Sequence, residues 1–426
     1  MSILNLYAVI GVLIFLITLS IIMIRPFGVS EAVAAIGGAA LMLIGGYVGP
    51  VEAVTLLLNN WNVYGFFLGL MAISALADQA GIFDMLAYQA GHWARGSGLR
   101  LYLAVFAAGT VITAFLSNDA TALILTPVVY ALVTRLRLPV MPFMFACTFI
   151  ADTASFLFPV GNPINILVLN TFGSGLPTFL RYLLLPSLFC IALNIIIFVW
   201  LYRRDLKIRY NPTDLPEVIL PHRPFFQFTI AALVLIAVAY VVASAMEFPL
   251  SIVALSGSGL LLAGAVWNRC LDTRRLGREI SWTLFAFITG MFIFVRAVEN
   301  LGLTVAFGQG LMNLADTSPL RAILLTAGGT ALGANLINNV PMSMLMISVL
   351  GNIRSGANGQ ALVYATILGA DLGPNLTTVG SLATMLWLLI MRRKGLEIST
   401  LEYFKLGITV VPVMIIVGSL LIWLKL

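Results

Sequence analysis

Of the 426 residues, 61% are hydrophobic and 9% are charged, with a mean hydropathy of +1.04. A soluble domain carries roughly 25% charged residues, so a water-soluble enzyme built around a large core is excluded. The net charge of +6 falls in loops between apolar runs, which suits one basic face of a membrane protein and not nucleic-acid binding.

Apolar runs of about 17 to 25 residues, each long enough to span a bilayer, recur along the chain. The first, in MSILNLYAVIGVLIFLITLSIIMIRP, lacks a basic leader and is too long for the apolar core of a cleavable signal. It reads as a transmembrane helix. Spans are expected near 4–24, 32–49, 62–79, 140–171 and 177–201, then near 224–245, 250–267, 282–298, 361–391 and 404–424. Between 100 and 135, and again between 321 and 351, paired shorter apolar arms flank a polar turn. Each pair reads as a re-entrant hairpin.

The chain is written twice. At a shift of 221 residues Trp61 meets Trp282, Gly69 meets Gly290, Asp78 meets Glu299 and Gly81 meets Gly302. At 220, Asn118-Asp119 meets Asn338-Asn339, and at 219 ADTASFLFPVG (151–161) meets ADLGPNLTTVG (370–380). An ordered set of identities at a nearly constant shift marks an internal repeat. The halves are 1–202 and 224–426, joined by a polar linker at 203–223. Five spans per half is an odd number, so the second half is inverted relative to the first, an arrangement typical of transporters. With the linker inside, eighteen of the 23 Lys and Arg residues fall on the inner face. That bias places both termini outside.

Four polar stretches interrupt the apolar runs: Ser117 to Thr121, DTASFLFPVGNPIN (152–165), NLINNVPMS (335–343) and DLGPNLTTVGSLAT (371–384). The second and fourth carry Pro159, Gly161 and Pro163, and Gly373, Pro374 and Gly380. Proline removes a helix hydrogen bond and clashes with the preceding turn, so these spans are predicted to unwind midway. Unwound backbone at that depth is tolerated where protein or a water-filled cavity surrounds it. Two hairpin tips and two broken helices related by a pseudo-twofold are therefore expected to share one polar site. Asn118, Asp119, Thr121, Asn162, Asn165, Asn338, Asn339, Asn375, Thr377, Thr378 and Ser381 are its candidate solute contacts. Asp119, Asp152 and Asp371 are the acids at that depth, where a carboxylate costs on the order of 3 kcal/mol on insertion scales and marks function by default. The other acids are expected near the interfaces.

Plainer roles compete. Thr126, Ser155 and Thr384 can bond back to their own backbone. Asn118, Asn338 and Asn339 can be interhelical glue, and Asp152 or Asp371 can be a helix N-cap. Cys147, Cys190 and Cys270 are too scattered for a disulfide framework or a zinc site. His92 and His222 read as solvated loop residues, and the methionines as core filler. No metal and no cofactor is implied. No Ser/His or metal constellation stands at the breaks, which argues against an intramembrane enzyme.

SNDATALILTPVV, FIADTAS, INNVPMS and ADLGPNLTTVGSLATMLWL resemble motifs of the arsenite–antimonite efflux permeases of the ion transporter superfamily, and the resemblance spans nearly the whole chain. Ala370 stands where the family has Cys, Thr378 where it has Pro, and GNPINI (161–166) where it has SNLVNI. The resemblance implies an all-α polytopic protein of a bacterial or archaeal plasma membrane, with about ten transmembrane helices, two re-entrant hairpins and broken helices at the midplane. It implies export of arsenite or antimonite in exchange for protons, with Asp119, Asp152 and Asp371 as coupling groups. It also admits a homodimer and a cytosolic arsenite-stimulated ATPase as partners. The residues fit such a solute. Arsenous acid is a small neutral tri-hydroxyl, amides and hydroxyls both donate and accept, and no Lys or Arg lies in the four breaks to bind a dianion. A sodium/proton antiporter, with the aspartates holding the cation, and a passive channel for small neutral hydroxylated solutes are the rival readings.

Overall fold

A computed structural model describes residues 3–24, 29–173, 175–215, 222–246, 248–351 and 356–426. Arg25, Arg354 and linker residues 216–221 lie outside the described residues. The described chain is helical throughout, with no β-strand. Eight described helices are long and apolar enough to cross a membrane.

The expected spans are present, with differences that have local causes. The run at 32–49 is a helix only over Glu31–Ile44, ending at Gly45 and at Gly46 with φ +73°, and the chain starts again as Pro50–Asn59. Fourteen residues rise about 21 Å, less than the ~30 Å hydrocarbon core. Helices Ile82–Trp93 and Leu303–Thr317 fill segments expected to be loops. The first arms of the two hairpins, Gly98–Phe115 and Pro319–Ile337, are longer than the sequence suggests and are themselves of spanning length and hydropathy. Each turns sharply at its polar tip into a second arm, Asn118 to Arg135 through a π-helical turn in the first hairpin and Asn339–Leu350 in the second.

Both long spans break where proline and glycine predict. Val140–Thr153 stops, a single 3-10 turn runs over Pro159–Gly161, and the helix resumes as Pro163–Phe172. Ala357–Leu372 gives way to a 3-10 turn at Gly373–Leu376 and resumes as Leu382–Arg393. Asn162 and Ser381 cap the resumed helices, their side chains accepting from Ile164 N and Thr384 N. A side-chain acceptor at this position satisfies a donor that a helix start leaves orphaned. Leu176–Leu201 and Thr400–Trp423 pack against each other and against the broken spans.

The halves interlock by exchange. Trp61–Gln79 packs on Leu250–Trp267, and its repeat counterpart Trp282–Asn300 packs on Glu31–Ile44. Matched glycines make each crossing close. A Cβ on Gly69 would lie 2.5 Å from the Ala254 carbonyl carbon, and one on Gly290 would lie 2.5 Å from that of Ala35. The spans are also tied at their ends. Asp78 pairs with Arg275, which holds Glu279 at 2.8 Å, and Gln79 exchanges two hydrogen bonds with the Asp272 backbone. At the matching end of the other half, Arg296 bridges Glu52 at 2.6 Å and Glu299 at 2.8 Å, and Asn300 donates to the Tyr47 carbonyl at 2.9 Å. The Arg296 guanidinium holds the Glu52 carboxyl below the usual carboxylate range.

The described part of the linker is held against the first half. Tyr210 hydroxyl donates to the Gly91 carbonyl at 2.6 Å, Gly98 N donates to the Ile208 carbonyl at 3.1 Å, and Arg135 Nε donates to the Asp214 carbonyl at 3.0 Å. These bonds fix both feet of the first hairpin.

Gly69→Leu or Gly290→Leu should push a crossing helix away at the backbone, destabilising by about 1–3 kcal/mol. Gly259→Leu, where a Cβ meets nothing within 4 Å, should be neutral. Apparent Tm in detergent is the readout, and equal values for all three variants would refute the close-crossing account.

Candidate functional site

The four polar stretches meet, but in two layers. The inner layer is a dry network around the breaks. Asp152 and Asp371 end the first halves of the two broken spans and are almost completely buried. Neither is an N-cap; both stand at helix C-terminal ends. Asp152 Oδ1 accepts from Asn118 Nδ2 at 3.4 Å, and its Oδ2 accepts from Thr384 Oγ1 at 3.3 Å. Asp371 Oδ1 accepts from Asn162 Nδ2 at 2.7 Å. Each carboxylate is thus received at the N-terminus of the other span's resumed helix, where the backbone amides and the helix dipole favour negative charge.

Thr153 is a second hub. Its Oγ1 accepts from Asn194 Nδ2 at 2.9 Å and from Asn375 Nδ2 at 3.3 Å, and Asn375 also donates to the Phe149 carbonyl at 3.2 Å. Asn165 is fully buried and donates to the Ser155 carbonyl at 2.9 Å. Thr121 is bonded across the first hairpin to Thr113, oxygen to oxygen at 2.7 Å. Asn375, Asn165 and Thr121 therefore tie this layer together.

At the second hairpin, Asn335 Nδ2 donates to the carbonyls of Ala331 and Gly373, both at 2.7 Å, and its Oδ1 accepts from Thr377 at 2.7 Å. Asn339 N donates to the Gly380 carbonyl at 2.9 Å, and Asn338 Nδ2 lies 3.5 Å from the Val379 carbonyl. Thr378 and Ser381 are buried beside them. Of the hydroxyls with plainer alternatives, Ser155 bonds back to the Asp152 carbonyl and Thr126 to that of Thr121, whereas Thr384 serves Asp152.

The outer layer is open. A cavity of about 790 Å³ reaches the first hairpin tip, where Ser117 and Asp119 line it with Leu382 and Leu386. Asp78, Asp84, Arg275, Arg278 and Glu279 line it as well. Asp119 is half-buried, and its carboxylate has no side-chain partner among the described residues. Of the three aspartates it is the one on the cavity wall.

Sequence reasoning did not find Thr153, Asn194 or Asn335. Nor did it place Glu31, which it left at an interface and which shares a small pocket with Asn335 and Asn338. Asn335 and Thr153 belong to polar stretches that were recognised. Asn194 carried no signal, because a lone Asn inside a span is ordinary.

Residues 10–424 match the arsenical pump membrane protein family. The arsenical pump membrane protein of Escherichia coli (strain K12) is 31% identical over 401 residues, covering 93% of this chain and 94% of the relative. That of Yersinia enterocolitica is 32% identical over 403 residues with the same coverage. A putative arsenical pump membrane protein of Bacillus subtilis (strain 168) is 26% identical over 424 residues. Among solved structures, the Alcanivorax borkumensis YdaH transporter, described as having an unusual topology, superposes with a TM-score of 0.63 at 16% identity. It covers 87% of this chain and 86% of its own. At that identity the likeness concerns the fold.

Thr153→Val keeps the shape and removes the shared acceptor, leaving the buried Asn194 amide unpaired and Asn375 with the Phe149 carbonyl alone. A loss of about 1–3 kcal/mol is expected, read as a lower apparent Tm. An unchanged Tm would mean that Thr153 is no hub.

Proposed function

We propose, on the premise that the chain belongs to the arsenical pump membrane protein family, that it exports arsenite or antimonite as the neutral trihydroxide in exchange for protons. The chain is a multi-pass membrane transport protein and not an enzyme. In this reading its halves are inverted repeats, its linker is cytoplasmic and both termini are outside.

The observation that carries the reading is Asp119 on the wall of the open cavity, its carboxylate without a side-chain partner among the described residues. The cavity wall also holds Arg275 and Arg278, which the charge bias assigns to the cytoplasm. Cytosolic solute would therefore meet Asp119 first. Ser117 and the amides and hydroxyls behind it offer donors and acceptors for three O–H groups, and no Lys or Arg in the breaks selects an anion. Uphill transport of a neutral solute needs a second, coupled gradient. Asp119 faces water on one side and the Asn118–Asp152 bond on the other, so it suits proton exchange. Asp152 or Asp371 would complete the coupling inside. The repeat counterpart of Asp119 is Asn339, so the exchanging acid belongs to one half.

Arsenite flux into proteoliposomes of purified protein, with and without an imposed proton gradient, tests this. Gradient-driven arsenite movement with matching proton flux is expected. Asp119→Asn should lose at least tenfold of the gradient-driven component while remaining folded. Full proton coupling in Asp119→Asn would overturn its role, and arsenite movement indifferent to the gradient would make the protein a channel.

A further inference from the structure

Asp152 adjoins a group of hydroxyls that the transport reading leaves unused. Thr384 Oγ1 donates to Asp152 Oδ2 at 3.3 Å and lies 3.0 Å from Ser381 Oγ. Tyr403 comes to the same place from the first turn of Thr400–Trp423. Its hydroxyl adjoins those of Thr384 and Thr148 and lies in the field of Asp152. Its ring is fully buried among Phe149, Trp387 and Phe145, at 5.3, 6.0 and 6.3 Å between centroids. The ring is held on these sides, so the freedom left to it is the turning of the O–H.

Two of these hydroxyls are unpaired. Neither Tyr403 Oη nor Thr148 Oγ1 has a hydrogen-bond partner among the described residues, and both are shut off from solvent. Buried polar atoms are nearly always paired, and a buried tyrosine hydroxyl usually finds a partner. Two adjoining unpaired hydroxyls near a buried carboxylate are poised to bond when the charge there changes.

The arrangement occurs in one half. At a shift of 219 Thr148 meets Ile367 and Thr384 meets Asn165, and at 221 Leu180 and Tyr182 meet Leu401 and Tyr403. Tyr182 keeps the ring but stacks flat on Tyr364, 4.8 Å between centroids. With Ile367 and Asn165 in the other two places, the row of hydroxyls at Asp152 has no copy at Asp371.

We propose that Tyr403 positions the charge of Asp152 by way of Thr384, and that its hydroxyl turns to Thr148 when Asp152 takes up a proton. With Asp152 ionised, Tyr403 donates to the Thr384 oxygen and Thr384 donates to Asp152 Oδ2. With Asp152 protonated, its own O–H donates to the Thr384 oxygen. The Thr384 proton then turns to the Tyr403 oxygen, and the Tyr403 proton turns to Thr148. Each hydroxyl keeps its proton, so the relay reorients and no O–H bond within it breaks. Tyr403 and Thr148 are positioning residues. The inference rests on the reading in which Asp152 takes part in proton exchange.

The other ionisable groups bearing on Asp152 are Asp119 from the first tip and Asp371 from the second broken span. Tyr102, on the long arm of the first hairpin, packs at Phe143, about two turns away. No Lys or Arg lies in the breaks. These groups are the same in all the variants compared, so a shift belongs to the relay.

The test is an infrared pH titration of the purified full-length protein in lipid. The carboxylic-acid C=O band that is lost in Asp152→Asn, or moved in Asp152→Glu, reports Asp152 itself. Tyr403→Phe keeps the ring and removes the donor that favours the ionised form, so the midpoint of that band should rise. Thr148→Val removes the alternative acceptor and leaves Tyr403 on Thr384, so the midpoint should fall. Each shift should be about half to one pH unit, the size of one hydrogen bond. The double variant should follow Tyr403→Phe, because Thr148 acts through Tyr403, and Thr148→Ser should match the parent. Loosened packing would not move the two single variants in opposite directions. Unmoved midpoints, shifts of one sign, or a double variant that sums the singles would overturn the relay, as would the absence of any band belonging to Asp152. Should Tyr403→Phe fail to fold, Thr148→Val against Thr148→Ser decides alone. The readout needs neither arsenite nor a proton gradient, so its failure and that of the transport assay are separate results.

Discussion

Two carboxylates, each ending one half-helix and each received at the start of the other half's resumed helix, hold the centre of this protein together. An isolated buried carboxylate costs several kcal/mol or more. Asp152 and Asp371 offset that cost with charge-assisted hydrogen bonds and with the positive ends of Leu382–Arg393 and Pro163–Phe172. The same contact satisfies groups that the breaks leave orphaned. Because the pairing is crosswise, neither broken span can complete its own interruption, and the two must fold together.

The rest of the architecture keeps these ends in register. The Gly69 and Gly290 crossings bring each half's long span against the other half's helices at backbone distance. Such contacts tolerate little drift, since a packed interface is bistable and does not deform continuously. The Arg275 and Arg296 clusters tie opposite ends of the same helices. Exposed ion pairs of this kind contribute little to stability; their effect is to fix which loop lies over which helix end. At the first hairpin the described linker residues add a further tie at both feet.

Much of this was legible from residues whose effect is local. Pro159, Pro163 and Pro374 stand beside Gly161 and Gly373 amid polar residues, so the breaks were found at their places, whereas Pro186 and Pro412 alone leave Leu176–Leu201 and Thr400–Trp423 continuous. The repeat was legible because Gly69, Gly290 and the Asn pairs hold a near-constant offset. Helices Ile82–Trp93 and Leu303–Thr317 were missed because they are shorter and more polar than a span. The hairpin arms were underestimated because a polar tip hides how far the apolar helix runs. The site was legible as a set and not as a wiring. No pattern says that Thr384 turns to Asp152, that Thr153 gathers Asn194 and Asn375, or that Tyr210 straps Gly91. Those are long-range choices made by packing.

An exact inverted repeat would favour its inward-open and outward-open states equally. The gradients set the direction of coupled transport, and the positions where the halves differ set how the two states and the two tips are told apart. Asp119 stands against Asn339 in the repeat, so in the transport cycle proposed above the proton-exchanging group belongs to the first tip. Asp152 is met by the hydroxyl of Thr384 and the amide of Asn118, and Asp371 by the amide of Asn162 with Ser155 and Asn165 beside it. A hydroxyl can reverse its hydrogen bond when a carboxylate gains a proton, and an amide nitrogen cannot. Each inner aspartate therefore has one hydroxyl near it that could follow a proton, and the clearer difference between the halves lies at the tips, where Asp119 stands against Asn339.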